Sequence, residues 1–230
     1  MKKIKSEFDI LQDMGDFKDK VIIDVGCGTG ELVRKLAAAG ALVTGIDVPE
    51  MLEKAKDHPP AGKEKYIEGT GENLPLNNDY ADMAIFFASF HHIPVAKMKQ
   101  ALNETHRVLK NGGTAVFIEP VGQKGSYYEI IRLVEDEREV QKQAYDVIRN
   151  ATEDGLENKN EAEDMFYIER SFADYVKLNE IFIEDEKERG KYISRARKVT
   201  TRLARAAGTG FEDFRYKSIC RLNILKKNDV

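Results

Sequence analysis

The chain has 230 residues, a formal net charge of −4, 33% charged and 42% hydrophobic side chains. That length can bury one full α/β core with an elaboration, and the balance is that of a globular protein with a busy surface. The near-neutral charge gives no global attraction to nucleic acid, and no apolar run reaches the length needed to span a bilayer.

The opening MKKIKSEFDILQDMGDF is amphipathic and contains acidic residues, unlike a signal peptide, so an N-terminal helix (1–19) and a cytoplasmic location are expected. From residue 20 onward strand and helix signals alternate. Val21–Val25 predicts strand one, Glu31–Ala39 a helix closed by Gly40, Leu42–Asp47 strand two, and Glu50–Asp57 a helix with Pro49 in its first turn. Lys65–Glu68 predicts a short third strand, and the wholly apolar Ala81–Phe87 a fourth that is buried on both faces. Val95–Leu109 is helical, Lys110-Asn-Gly-Gly a turn, and Thr114–Glu119 strand five. This repetition implies a parallel sheet with right-handed crossovers, whose ligands bind beyond the carboxyl ends of the strands.

Beyond Pro120 the texture changes. Residues 126–149 carry Ile130, Ile131, Val134, Ala144 and Ile148 at amphipathic-helix spacing, Glu153–Asp164 is acidic and reads as loop or frayed helix, and Met165–Glu169 has strand character. Phe172–Phe182 predicts a short helix, Glu184–Ala207 a long charged one, and Tyr216–Leu225 a final strand. The expected organisation is therefore a core over 20–120, a helical cap over 121–212 that selects the substrate, and a strand within 213–230 that completes a mostly parallel seven-stranded sheet.

The most informative stretch is VIIDVGCGTGE, Val21 to Glu31. A β-branched run ends at Asp24, glycines follow at 26, 28 and 30, and a helix begins at once. This places a tight glycine turn between a buried strand and a helix N-terminus, where a nucleotide-like ligand can touch backbone. The dinucleotide fingerprint G-x-G-x-x-G would put its third glycine at Glu31, so the spacing departs from it. Instead, G-x-G-x-G after an acidic residue resembles motif I of the class I S-adenosylmethionine (SAM)-dependent methyltransferases. That family has a Rossmann-like fold, SAM as cofactor and S-adenosylhomocysteine as product.

The resemblance extends over about residues 20–120 and implies roles for further residues. Asp24, Gly26, Cys27, Gly28 and Gly30 would form the loop around the cofactor. Asp47, ending strand two, would accept hydrogen bonds from both ribose hydroxyls, with Val48 beside it and Met51 against adenine. IEGTGENLPL resembles the loop after strand three, but Thr70 stands where the family commonly has an Asp for the adenine amino group, leaving Gly71 and Glu72 to contribute backbone groups. DMAIFFASFHHIP resembles motif IV. Phe86 and Phe87 there offer an aromatic wall for the sulfonium, although alternate strand residues point to opposite faces, so at least one should fill the core. His91, His92 and Glu119 are candidates for a base toward an oxygen or protonated nitrogen acceptor.

The cap carries no family motif. Tyr127 and Tyr128 are candidate substrate contacts, and the basic half of Glu184–Ala207 (Arg195, Arg197, Lys198, Arg202, Arg205) reads first as a solvated helix that complements its dipole. Cys27 and Cys220 form no C-x-x-C pair and no Cys/His cluster has zinc spacing, so neither a disulfide framework nor a metal is expected. The leading expectation is methyl transfer to a small-molecule acceptor held under the cap. An RNA or tRNA methyltransferase with a local basic groove, and a SAM-binding scaffold or sensor without turnover, remain alternatives. Nothing in the chain indicates membrane binding, and its oligomeric state is not legible.

Overall fold

Short β-branched segments alternating with amphipathic ones leave one stable arrangement, a central sheet with helices on both faces. A computed structural model describes residues 4–122, 124–151, 156–158 and 164–228. In chain order its elements are α1 (Glu7–Gln12), β1 (Val21–Val25), α2 (Glu31–Ala38), β2 (Leu42–Asp47), α3 (Pro49–Lys56), β3 (Lys63–Glu68), β4 (Ala81–Phe87), α4 (Val95–Val108) and β5 (Leu109–Pro120). They continue with α5 (Tyr128–Ile131), α6 (Arg138–Arg149), β6 (Leu156–Asn158), β7 (Asp164–Arg170), α7 (Phe172–Phe182), α8 (Glu186–Ala207) and β8 (Tyr216–Lys227).

The strands follow the order β3-β2-β1-β4-β5-β8-β6, and β7 also pairs with β8. β3, β2, β1, β4 and β5 run parallel, and β8 pairs antiparallel with β5 from Thr114↔Lys226 to Pro120↔Cys220. The far edge of β8 is shared. β6 pairs with Leu225–Lys227 and β7 with Tyr216–Leu222, both antiparallel, so the two short strands occupy one lane. The sheet therefore has seven lanes built from eight strands. Leu156–Asn158, inside a stretch expected to be loop or frayed helix, supplies part of the outermost lane, with Leu156 fully buried in the core; residues 153–155 and 159–163 of that stretch lie outside the described residues.

Side-chain alternation divides the sheet's two faces. Ile22, Val43, Ile85, Val116 and Ile118 meet α1 and α2 through Ile10, Leu11, Val33 and Leu36. Ile23, Ile46, Ala84, Phe86, Ala115 and Phe117 meet α4 and α6 through Met98, Leu102, Ala144 and Ile148. The helix α6 thus belongs to the sheet's helical layer, although it falls within the segment expected to be cap. A third apolar cluster stands apart, with Ile130, Tyr175, Ala196, Ala204, Phe214 and Tyr216 joining α5, α7, α8 and the start of β8.

The helix expected across 126–149 is broken between α5 and α6. Asp136 Oδ1 accepts the N–H of Arg138 at 3.3 Å, a local turn that competes with helical pairing, and Glu137 becomes the N-cap of α6. The turn expected at Lys110-Asn-Gly-Gly is instead a kink within β5, where Gly112 takes φ +71° and the register against β4 slips between Ala81 and Met83. Asp82 fastens the opposite end of the strands, accepting from Val21 N at 2.8 Å and from Lys110 Nζ at 2.9 Å. No helix among the described residues is long and apolar enough to cross a membrane.

Candidate active site

Because β1, β2, β4 and β5 are parallel, their carboxyl ends bring Val25, Asp47, Phe87 and Glu119 to one edge of the sheet. The glycine loop turns there with Gly26, Gly28 and Gly30 at φ +73°, +53° and +72°, a left-handed region that an L side chain enters at a cost of about 1–2 kcal/mol. The three glycines face different surroundings. A Cβ on Gly26 would come within 2.5 Å of Ser89 Cβ, and one on Gly30 would run into the Tyr66 hydroxyl, whereas one on Gly28 would find only Met51 Cε at 3.9 Å. Gly26 and Gly30 are thus fixed by protein packing, and the surroundings of Gly28 are the loosest of the three.

Asp47 meets the loop from the β2 side. Its Oδ2 accepts the Gly28 N–H at 2.7 Å and its Oδ1 accepts the Val48 N–H at 2.8 Å. Each oxygen keeps a further lone pair for a ligand hydroxyl. Met51 is buried at 7% exposure under Gly28, and Val48 is exposed at 45%. Asp24 is buried at the end of β1. The Cys27 thiol packs into the core against α2 and β2, where burial, then the charges of Asp24 and Asp47, push its pKa upward. Cys27 is thus a core side chain within the glycine loop. Arg34 clamps the loop from behind, donating to the Thr29 carbonyl at 2.9 Å.

The loop after β3 reaches the same edge, with Gly69 N donating to the Asp47 carbonyl at 3.2 Å. Thr70 is exposed and forms an isolated bridge with Asn73. Gly71 is buried where a Cβ would come within 2.5 Å of Ile93 Cδ1. Glu72 turns away to α4, pairing with Lys97 Nζ at 3.0 Å while its carbonyl accepts from Gln100 at 2.9 Å. The two phenylalanines separate as alternation requires. Phe86 is wholly buried, stacked on Phe117 at 4.9 Å and edge-on to Phe90 at 5.4 Å, so it is a core residue and not a wall of the site. Phe87 lies on the opposite face and remains half-buried.

After β4 the chain turns sharply at Ala88, whose φ of +48° is unusual for a side-chain-bearing residue, into a single 3-10 turn over Phe90–His92. Ser89, which the sequence did not single out, joins this turn to the glycine loop. Its hydroxyl donates to the Val25 carbonyl at 2.6 Å beneath Gly26. Glu119 at the end of β5 holds the turn from the other side. Its Oε1 accepts the N–H groups of Ser89 (3.2 Å) and Phe90 (2.9 Å), and its Oε2 accepts a short hydrogen bond from His91 Nδ1.

Glu119 is 7% exposed and His91 4%. Both carboxylate oxygens are engaged, so Glu119 orders the turn instead of reaching toward an acceptor. On the far side of the His91 ring, Nε2 faces Glu137 Oε2 at 3.7 Å. Burial opposes a charge on His91, but Glu119 and then Glu137 outweigh it and raise its pKa to about 10. His92 has its side chain 63% exposed and Nδ1 3.9 Å from Glu137 Oε1. The fold therefore gathers His91, His92, Glu119 and Glu137. Glu137 has no sequence signal, because it comes from the broken helix far along the chain.

The cap candidates are engaged in packing. Tyr127 lies edge-on to Tyr216 at 5.7 Å within the third cluster, and burial raises its pKa. Tyr128 OH donates to Asp136 at 3.2 Å, and the ring lies under Arg132 and Arg138. On α8, Arg197 lies against the rings of Phe172 (5.1 Å) and Phe211 (5.2 Å), and Arg202 pairs with Glu129. Both arginines remain solvent-exposed while making these contacts. α7 meets α3 where Lys54 Nζ donates to the Ile181 carbonyl at 2.7 Å.

Residues 23–117 match the family model described as a methyltransferase domain. Among curated relatives, a demethylmenaquinone methyltransferase of Chlorobaculum tepidum is 34% identical over 119 residues, 51% of this chain and 48% of that protein. A 2-methyl-6-phytyl-1,4-hydroquinone methyltransferase of Arabidopsis thaliana is 38% identical over 108 residues, 45% of this chain and 31% of that protein. The matched region thus spans about half or less of the length of these relatives. Among solved structures, a SAM-dependent methyltransferase of Methanosarcina mazei superposes with a TM-score of 0.59 at 16% identity, covering 98% of this chain and 99% of that one. The YcgJ protein of Bacillus subtilis gives 0.64 at 16% identity, covering 96% and 97%; at such identities the likeness is one of fold. Residues 23–117 thus resemble a methyltransferase domain, and the sheet topology is the Rossmann-like one of the solved SAM-dependent methyltransferases.

Proposed function

We propose that the protein binds SAM at the glycine loop and transfers its methyl group to a small-molecule acceptor beside the cap. The observation that carries this reading is the cradle between Gly28 and Asp47. Gly28 is the glycine of the three whose Cβ would overlap no neighbour, meeting only Met51 Cε at 3.9 Å, and the carboxylate beside it is already oriented by two backbone N–H groups. An adenosine ribose suits this donor set, because a carboxylate fixed on one side can accept two neighbouring hydroxyls on the other.

When bound, SAM supplies an electrophilic methyl on a positively charged sulfonium, so the cofactor carries the difficult chemistry. The protein's part is to bind, orient and exclude water. Asp47 would hold the ribose, Met51 would pack beside the adenosine, and the Gly26–Gly30 backbone would admit the ligand closely. Ser89 and Glu119 fix the turn after β4, which borders the glycine loop. In the Glu119–His91 pair each group satisfies the other, so a base function at either would first require breaking that pair. Of the three base candidates, His92 has the exposed side chain.

The acceptor is proposed to be a small molecule. The relatives named for quinone, hydroquinone and malonyl-acyl-carrier-protein methylation support that class. The net charge of −4 counts against an RNA groove. The reading is tested by incubating the protein with methyl-labelled SAM and a panel of quinol, amine, hydroxyl and carboxylate acceptors. Label transfer to a small molecule supports it, and transfer only to RNA, or to nothing while SAM binds, contradicts it.

A further inference from the structure

We propose that His91, His92 and Glu137 form a binding site for a divalent transition-metal ion of the zinc class, with Glu119 as the group that orients His91. One ligand atom from each of the three side chains lies within 4.8 Å of the other two. His91 Nε2 is 3.7 Å from Glu137 Oε2, and His92 Nδ1 is 3.9 Å from Glu137 Oε1. Donors around a four-coordinate zinc stand about 3.3 Å apart, given metal–ligand bonds of roughly 2.0–2.2 Å. The widest separation, up to 4.8 Å, must close by as much as about 1.5 Å, a movement the exposed His92 ring can supply.

The donor set and its support point the same way. Two imidazoles and one carboxylate suit zinc and neighbouring transition metals, whereas calcium and magnesium take oxygen ligands. Three protein ligands leave one position for water or another molecule. Metal-bound histidines commonly donate their second ring N–H to a carboxylate, which fixes the tautomer and the ring's orientation. Glu119 stands in that relation to His91. It accepts from Nδ1, so Nε2 is the nitrogen presented to Glu137, and a metal bound there would displace the Nε2 proton to solvent. Glu137 is itself steadied by Gln141 Nε2, which donates to its Oε2 at 3.1 Å.

Two features explain why the cluster exists at all. The 3-10 turn puts two consecutive histidines side by side, with ring centroids 4.1 Å apart. The break before α6 then turns Glu137 toward both. A bound ion would tie the turn after β4 to the start of α6, at the edge where the proposed acceptor would enter. The site uses none of the residues assigned to the cofactor and does not depend on methyl transfer.

The test is a titration of the metal-free full chain with Zn²⁺ against a chromophoric chelator, in excess Mg²⁺. One Zn²⁺ per chain is expected. His92→Ala and Glu137→Gln should each lower the affinity more than about tenfold, and Glu119→Gln by roughly 10–100-fold, the usual effect of losing an orienting carboxylate. His92 is exposed, so its variant should keep the wild-type circular dichroism spectrum, and Glu137→Gln gives an independent reading. Absence of stoichiometric uptake, or uptake that His92→Ala and Glu137→Gln leave unchanged, overturns the proposal.

Discussion

Asp47 Oδ2 accepts the Gly28 N–H at 2.7 Å, so the acidic end of β2 holds the loop that begins at the end of β1. One carboxylate therefore shapes the loop and lies beside Gly28. Its neighbours give each glycine a distinct, measurable role.

Gly26→Ala and Gly28→Ala should separate stability from ligand binding. Both place a side chain at positive φ, costing about 1–2 kcal/mol. Gly26→Ala adds an overlap with Ser89 and should lower the melting temperature by more. Gly28→Ala meets only Met51 Cε at ordinary contact distance, so its larger effect should be on cofactor affinity. Paired thermal melts and titrations check this. Unchanged affinity in Gly28→Ala would place the ligand elsewhere.

Phe86→Ala should behave as a core truncation. The ring is fully buried, stacked on Phe117 and edge-on to Phe90, and its loss should destabilise the fold by about 3–5 kcal/mol in denaturant unfolding. A well-folded variant impaired only in cofactor binding would contradict its placement in the core.

Cys27 should be inert in the native protein despite lying in the glycine loop. Thiolate is the reactive form, and burial with the nearby Asp24 and Asp47 charges keeps the thiol protonated at neutral pH. Cys220 is also buried. A thiol-reactive chromophore should report almost no labelling natively and two thiols after denaturation. Rapid native modification at Cys27 would show that the thiol does not point into the core.

Thr70→Asp should raise affinity for SAM by up to about tenfold, the range of one charge-assisted hydrogen bond. The carboxylate would restore the acceptor that the family commonly places for the adenine amino group. The change also replaces the Thr70 hydrogen bond to Glu72 by a second carboxylate, so the melting temperature should fall slightly. Weaker binding would indicate that adenine does not lie over this loop.

The core was legible because its signals are local and periodic. Val21–Val25, the alternate glycines and the apolar Ala81–Phe87 each specify an element, and parallel strands then bring their ends together. Alternation also required Phe86 and Phe87 to face opposite ways, though only the sheet's register shows which one joins Phe117. What the sequence concealed arises from contacts between distant segments. Leu156 becomes a strand because β8 offers its edge, which no alternating pattern in the acidic stretch announces. Glu137 meets the two histidines only because the Asp136 turn interrupts a periodic helix. Glu119 read as a possible base at the mouth of a cleft, but the N–H groups of Ser89 and Phe90 and the His91 ring occupy its oxygens. Hydrogen-bond partners of that kind cannot be inferred from spacing.

The central claim is that the Gly28–Asp47 cradle holds SAM. Isothermal titration of the wild-type chain and Asp47→Ala with SAM and S-adenosylhomocysteine tests it most directly. The account predicts one molecule bound per wild-type chain and at least about tenfold weaker binding for the variant, as expected when hydrogen bonds to a charged group are removed. Absence of binding by the wild type, or equal affinity in both proteins, would contradict it.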